Sequence, residues 1–261
     1  TEKFANVGGD LTDDWQFHSV PAVIRAHSLI RSFKEVDADR TAVTGISWGG
    51  YMTCIVASVD HRFKAAVPVY GCGFLYDGES VQRPQIDSLE PAKRAEWIKN
   101  YDPSAWLPQC RVPIFFVNGT NDIHYPLVSY SRSYGLVKGS KQIRIEVKMR
   151  HSHPSGWEPN EIGRFIDQHL LGSDPLPQLG QPQLRNGHAT VEVKSLLGVK
   201  AAQLHYTTDS GRLADRNWSS IAATSDGKTI SADVPDNATI WIISATDSHD
   251  GMVSTDAIFA K

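Results

Sequence analysis

Apolar positions along the chain follow two different periods, and the change of period divides it. From Thr12 to Phe33, TDDWQFHSVPAVIRAHSLIRSF opens on cap-type residues and then sets Val20, Val23, Ile24, Ile30 and Phe33 at helical spacing. Pro21 suits this helix if it falls in the first turn, where its missing N–H is not needed. A polar connection, VDADR, leads to the short apolar run TAVTGI, and MTCIVAS then continues as a helix. FKAAVPVYG (63–71), VPIFFVNG (112–119) and QIRIEVKM (142–149) are further apolar runs of strand length, with helical patterns near 92–101, 126–136 and 161–171. Near-continuous apolar strands are buried on both faces, as in parallel sheets, and their alternation with helices predicts βαβ units.

Beyond residue 172 the helical period disappears. GSDPLPQLGQPQ (172–183) is polar and rich in proline and glycine, which reads as a linker. HATVEVKS, AAQLHYTTD, KTISADVP, TIWIISATD and MVSTDAIFA then alternate with period two between turns such as SDGK and PDNA. About five or six short strands in this span predict a small β-sandwich. The expected organisation is an α/β domain over 1–172, a linker over 173–183 and an immunoglobulin- or fibronectin-like sandwich over 184–261. Trp218 and Trp241, at strand spacing, are expected in its core more than on a sugar-stacking surface.

Composition removes some partners. A net charge of -3 gives no basic footprint, so no nucleic-acid partner is expected. No apolar run approaches the ~18–20 residues of a membrane span, so no membrane partner is expected either. The first residues show no signal-peptide pattern, which leaves the compartment open because a mature chain would have lost one. Cys54, Cys72 and Cys110 form no C-x-x-C pair, and the odd count leaves room for at most one bridge, such as Cys72–Cys110.

The candidate chemistry centres on GISWGG (45–50), a G-x-S-x-G string at a strand-to-helix junction. In a nucleophile elbow the serine takes a strained backbone conformation, and small residues two before and two after it leave the room. Ser47 is therefore the candidate nucleophile, Gly45 and Gly49 the spacers, and the backbone N–H of Trp48 one oxyanion donor. A serine hydroxyl also needs a base, and an acid to orient that base. VPIFFVNG ends in TNDIHYP, which places Asp122 just past a strand's C-terminal end, where catalytic groups gather in open α/β sheets. The alternative for Asp122 is a helix cap, and Asn121 and His124 are expected as loop residues.

After QIRIEVKM, the run RHSHPSGW offers His151 and His153. The longer reach of His153 back over the sheet makes it the expected base, with His151 the alternative. An H-x-H pair without accompanying Cys, Asp or Glu ligands does not predict a metal site, and no cofactor is expected. The insertion between PVYGCGF and Cys110 (75–110) is of the kind that caps a pocket. Tyr70, Phe74, Trp97, Trp106 and Trp157 are candidate walls.

Over residues 10–172, VDADRTAVTGISWGGYMTCIVASVDHRFKAAVPVYGCGF, FFVNGTNDIHYP and HSHPSGWEPNEIGRFIDQHL resemble the α/β-hydrolase superfamily. The branch resembled holds dienelactone hydrolases, prolyl-oligopeptidase-like enzymes and acetyl xylan esterase/cephalosporin-C deacetylase-type esterases. The resemblance implies a Ser47–Asp122–His153 triad without a cofactor, and a serine esterase acting on acetylated carbohydrate or a similar small ester. A prolyl-oligopeptidase-like peptidase and a degenerate, non-catalytic scaffold are the alternatives. It also implies that the first strands of the hydrolase sheet, and the loop with the second oxyanion donor, come from upstream or partner polypeptide.

Overall fold

The computed structural model describes residues 2–4, 6–7 and 9–260. It forms two compact units, one of Thr1–Ile114 with Ile123–Lys141, the other of Phe115–Asp122 with Gln142–Lys261.

The first unit is built on β1 (Ala42–Ile46) and β2 (Ala65–Val69), which pair in parallel with Ala42 opposite Ala65 and Ile46 opposite Val69. Every residue of β2 is buried, as its unbroken apolar run requires. Helix α1 (Trp15–Arg31) precedes β1, and α2 (Trp48–Val59) joins β1 to β2. α2 is buried continuously from Gly50 to Ser58, so its apolar character on nearly all sides is a consequence of where it packs. The insertion carries two short helices, α3 (Arg83–Asp87) and α4 (Pro91–Tyr101).

α1 starts earlier relative to Pro21 than its pattern suggests, and Pro21 lies in the helix interior. The bond lost is the one to the carbonyl of Phe17, an exposed position where water can replace the missing donor. Both ends of the helix are anchored. The Trp15 ring meets Trp48 edge-on at 5.6 Å, and His27 is buried against the end of α2. His27 Nδ1 lies 2.8 Å from Asp60 Oδ2 and Nε2 lies 2.8 Å from Thr41 Oγ1, while the ring stacks on Phe63 at 3.6 Å. Burial pushes the Asp60 carboxyl up, but hydrogen bonds from Arg62 and His27 outweigh it and hold the group well below the usual carboxylate range. A hydroxyl, an imidazole and a carboxylate stand in a row here, yet His27 and Asp60 are closed off from solvent and act as a brace.

The second unit contains β3 (Ile114–Gly119) and β4 (Lys141–Glu146), all but their first residues, as neighbouring strands. The helix between them, α5 (Leu127–Leu136), belongs to the first unit. Two helices follow β4, the short α6 (His153–Trp157) and the amphipathic α7 (Glu161–Leu171). From there on the chain is all β. One sheet has the order β10-β11-β7-β5, made of Thr224–Ser225, Thr229–Asp233, His188–Lys194 and Gln178–Leu179, with β6 (Gln183–Arg185) also on β7. The other has the order β13-β12-β8-β9, made of Met252–Ser254, Ile240–Thr246, Ala201–Thr207 and Ser219–Ala222, with β14 (Ile258–Phe259) on β12.

Inward residues of both sheets share one core, with Val191, Val193 and Ile230 from one and Leu204, Trp241 and Ile243 from the other. This is a β-sandwich, and Trp241 belongs to its core while Trp218 is half-buried. The proline-rich stretch before it is more ordered than a linker, because Gln178–Leu179 and Gln183–Arg185 both pair with β7. α7 and β4 are tied to the sandwich by polar bonds. Arg164 forks onto the fully buried Asp247, Met252 N–H donates to Glu161 Oε1 (2.7 Å), and Ile145 N–H donates to Ser254 Oγ (3.0 Å). No helix among the described residues is long and apolar enough to cross a membrane.

All three cysteines are buried and none is in a disulfide, so the Cys72–Cys110 bridge does not form. Burial pushes the Cys54 and Cys110 thiols up, which keeps them protonated and unreactive.

Candidate active site

Ser47 occupies the turn between β1 and α2 with φ 58° and ψ −117°, a conformation that costs a residue with a Cβ of the order of 1–3 kcal/mol. The surroundings hold it there. Ser47 N–H donates to Val69 O at the end of β2 (2.9 Å), and Ser47 O accepts from Tyr51 N–H in α2 (2.9 Å). Space for the turn comes from bare backbone. A Cβ on Gly45 would stand 2.5 Å from the carbonyl of Gly49, and one on Gly50 would stand 2.3 Å from Val69 O. Gly49 itself faces open space, with nothing within 4 Å of a Cβ. The crowded position after the serine is therefore Gly50, which faces β2, and the need at Gly49 is only that its backbone be reachable from Gly45.

Trp48 opens α2, whose first-turn N–H groups have no partners within the helix. Its ring packs edge-on against Tyr51 at 4.8 Å, and Lys3 Nζ sits 4.3 Å from the ring centroid. Partial burial lowers the pKa of the Lys3 ammonium. Lys3, Ser47, Trp48, Val81, Gln82, Gln85 and His124 line a cavity of about 470 Å³.

The insertion thus reaches the nucleophile, but through Val81, Gln82 and Gln85. Of the aromatic residues expected as walls, Tyr70 and Trp97 are fully buried and Phe74 and Trp106 lie off this cavity. Trp157 lies in the second unit and is about half exposed, at 51%. His124 is stitched to the insertion. Ser80 Oγ donates to its carbonyl (2.7 Å), Gln82 Nε2 donates to its Nδ1 (3.3 Å), and Val81 N–H donates to Ile123 O (3.0 Å). Nothing in the pattern of the sequence singled out these lining residues. The one usable signal was the length of the insertion, which says that something covers the site without saying which side chains.

Ser47 is presented by the first unit, and the candidate acid and base by the second. Asp122 follows β3 in the loop the strand position suggested, and it is nearly fully buried. Its Oδ2 lies 2.7 Å from Nδ1 of His151, whose side chain is 19% exposed. The imidazole beside Asp122 is thus His151, where the sequence reading expected His153. Ser152 explains the difference. Its Oγ accepts from Ser155 N–H (3.2 Å) as an N-cap, so α6 begins at His153 and carries that side chain outward into solvent. His151 stays in the loop before the cap, where Ser152 N–H donates to Arg150 O (3.0 Å). The two loops approach closely, since a Cβ on Gly119 would meet Met149 O at 2.7 Å. A carboxylate can only accept, so Asp122 takes the Nδ1–H of His151, and the lone pair of the ring lies on Nε2.

Comparison with known proteins agrees with this architecture. Residues 2–170 match the prolyl oligopeptidase family. Among solved structures, the acetyl xylan esterase from Paenibacillus sp. R4 superposes with a TM-score of 0.55 at 24% identity, over 61% of this chain and 54% of that one. Acetyl xylan esterase 1 from Thermoanaerobacterium sp. JW/SL YS485 gives 0.53 at 16% identity, over 66% and 57%. The Pyrococcus horikoshii acylaminoacyl peptidase gives 0.53 at 20%, over 59% and 28%. These identities speak for a shared α/β-hydrolase fold, and the chain spans little more than half the length of the two esterases. With the family matched across most of the chain, the protein belongs to the prolyl oligopeptidase family of serine hydrolases.

Proposed function

We propose that the chain carries the catalytic residues of a serine carboxylesterase for small, polar esters such as acetylated carbohydrate, with Ser47 as nucleophile, His151 as base and Asp122 as the acid that orients it. Ser47 Oγ attacks the ester carbonyl while His151 Nε2 takes its proton. The tetrahedral oxyanion accepts a hydrogen bond from Trp48 N–H. The C–O bond to the alcohol then breaks, the alcohol leaves with the proton from His151, and an acyl-serine remains. Water attacks that acyl group with His151 again as base, which releases the acid and restores Ser47.

The observation that carries the choice of substrate is the lining of the cavity at Ser47. Gln82, Gln85 and His124 offer both donors and acceptors, and Trp48 offers a flat apolar ring. A polyhydroxylated ring presents the same mixture of polar edge and apolar face, whereas a peptide side chain such as proline asks for an apolar slot. The peptidase reading keeps its support from the family match and the acylaminoacyl peptidase likeness.

The test compares acetate release from an acetylated xylo-oligosaccharide with cleavage of a proline-containing peptide amide. Acetate release at least about a hundredfold faster per enzyme, a difference of some 3 kcal/mol in barrier, is the expected result. Preferential peptide cleavage assigns the site to a peptidase. Turnover of neither, with the upstream part of the hydrolase domain present, leaves a binding scaffold.

A further inference from the structure

Asn121 has no part in the proposed chemistry, yet both ends of its side-chain amide are hydrogen-bonded. Its Nδ2 faces three backbone carbonyls of the sandwich, Arg216 O at 2.9 Å, Ala214 O at 3.0 Å and Leu213 O at 3.3 Å. Its Oδ1 accepts from Thr120 Oγ1 (2.6 Å), and the same hydroxyl accepts from Lys148 N–H (2.9 Å). Carbonyls only accept, so the amide has one workable orientation. The two residues therefore clamp together three segments, the loop that ends in Asp122, the loop that leads to His151, and residues 213–216 of the sandwich.

That third segment is firmly held from behind. Arg216 donates from Nε to Gly211 O (2.8 Å) and from Nη1 to Thr239 Oγ1 (3.2 Å). Thr239 Oγ1 in turn donates to Asp209 O (2.7 Å), Asn217 N–H donates to Asp209 Oδ2 (2.7 Å), and Leu213 is buried. Thr239 directly precedes β12, the central strand of its sheet, so the hydrogen-bonded path from the sandwich to the Asp122 loop is continuous.

We infer that Asn121 and Thr120 are positioning residues and that the sandwich, through residues 213–217, sets the place of the Asp122 carboxylate against His151. The C-terminal sandwich is then part of the catalytic apparatus, with no need to bind anything itself. This inference rests on the triad proposed above. The physical ground is that a displacement of about 1 Å in a catalytic group costs on the order of a hundredfold in rate, while ground-state binding elsewhere in the pocket is untouched.

The test uses the full chain and an ester substrate, with kcat expressed per site titrated by a fluorophosphonate. Asn121→Asp is nearly isosteric but turns a donor into an acceptor facing three acceptors, and kcat should fall about ten- to a hundredfold with KM changed less than about threefold. Thr120→Val should fall similarly, and Thr120→Ser, which keeps the hydroxyl, should return to within about twofold of the parent. Arg216→Ala, which loosens the segment from behind, should lower kcat per site about three- to tenfold and serves if Asn121→Asp does not fold. A merely structural role would lower the thermal midpoint and the titre while leaving kcat per titrated site unchanged in all of them, and that result overturns the inference. Asp122→Asn is the separate control. If it leaves kcat intact the triad reading fails; if it removes turnover while the Asn121, Thr120 and Arg216 variants keep theirs, the clamp alone fails.

Discussion

Ser47→Ala should reduce ester turnover by roughly four to six orders of magnitude, the range seen when a triad nucleophile is removed. The folded structure should survive, because Ala keeps the Cβ and loses only the hydroxyl. Its unfolding free energy should lie within about 1 kcal/mol of the parent's. Ser47→Gly separates the strain from the chemistry. It is equally without a nucleophile, but it relieves a positive φ that a residue with a Cβ holds at a cost of about 1–3 kcal/mol. Part of that gain is offset by the greater entropy of glycine in the unfolded chain. The glycine variant should therefore be more stable than the alanine variant by about 1 kcal/mol, read from urea midpoints at equal slope. A glycine variant that is inactive yet more stable than the alanine variant is what a strained, functional serine predicts. A serine serving as an ordinary turn residue would give equal activity in all three proteins.

The largest expected effect on folding lies one strand away. A Cβ on Gly71 would stand 1.9 Å from the backbone carbon of Gly50 and 2.0 Å from the backbone nitrogen of Tyr51. Both neighbours are main chain in the first turns of α2, so no rotamer change can make room. Gly71→Ala must push the end of β2 away from the helix that Ser47 introduces, and with it Val69 O, which holds Ser47 N–H. We expect a loss above about 4 kcal/mol, most of the stability of a domain at the low end of the usual range. Gly49→Ala is the matched control, two residues from the nucleophile but facing open space. It should stay within about 1 kcal/mol of the parent, measured by thermal unfolding followed in the far ultraviolet. Equal tolerance at both positions would mean that the end of β2 does not pack against the backbone of α2.

The sequence announced the elbow because a G-x-S-x-G string between a strand and a helix is a local signal. The buried strands β2 and β3 and the helix α7 were equally legible, since burial leaves its mark as composition and period. The position of Asp122 in the loop after β3 was legible from the end of that apolar run. The choice between His151 and His153 could not be read from spacing, because it turns on whether the chain has entered α6, and Ser152 with Pro154 decides that by capping. Those two residues are visible in the sequence, and read as a helix start they would have pointed to His151. Pro21 inside α1 and the strands at Gln178–Leu179 and Gln183–Arg185 were obscured for one reason: tertiary anchoring overrode local propensity. Gln82, Gln85, His124 and Asn121 leave no pattern at all. Their roles depend on which loops meet, and that is information about three-dimensional contact.

Covalent labelling reports on the serine and on its base in one experiment. The full chain is treated with a fluorophosphonate, digested, and its peptides are mapped by mass spectrometry in the parent and in two histidine variants. One adduct is expected, on Ser47, formed at a rate within about twofold of the parent in His153→Ala and slowed by at least about a thousandfold in His151→Ala. An adduct on another residue, or labelling of Ser47 that depends on His153 and not on His151, would contradict the proposed triad.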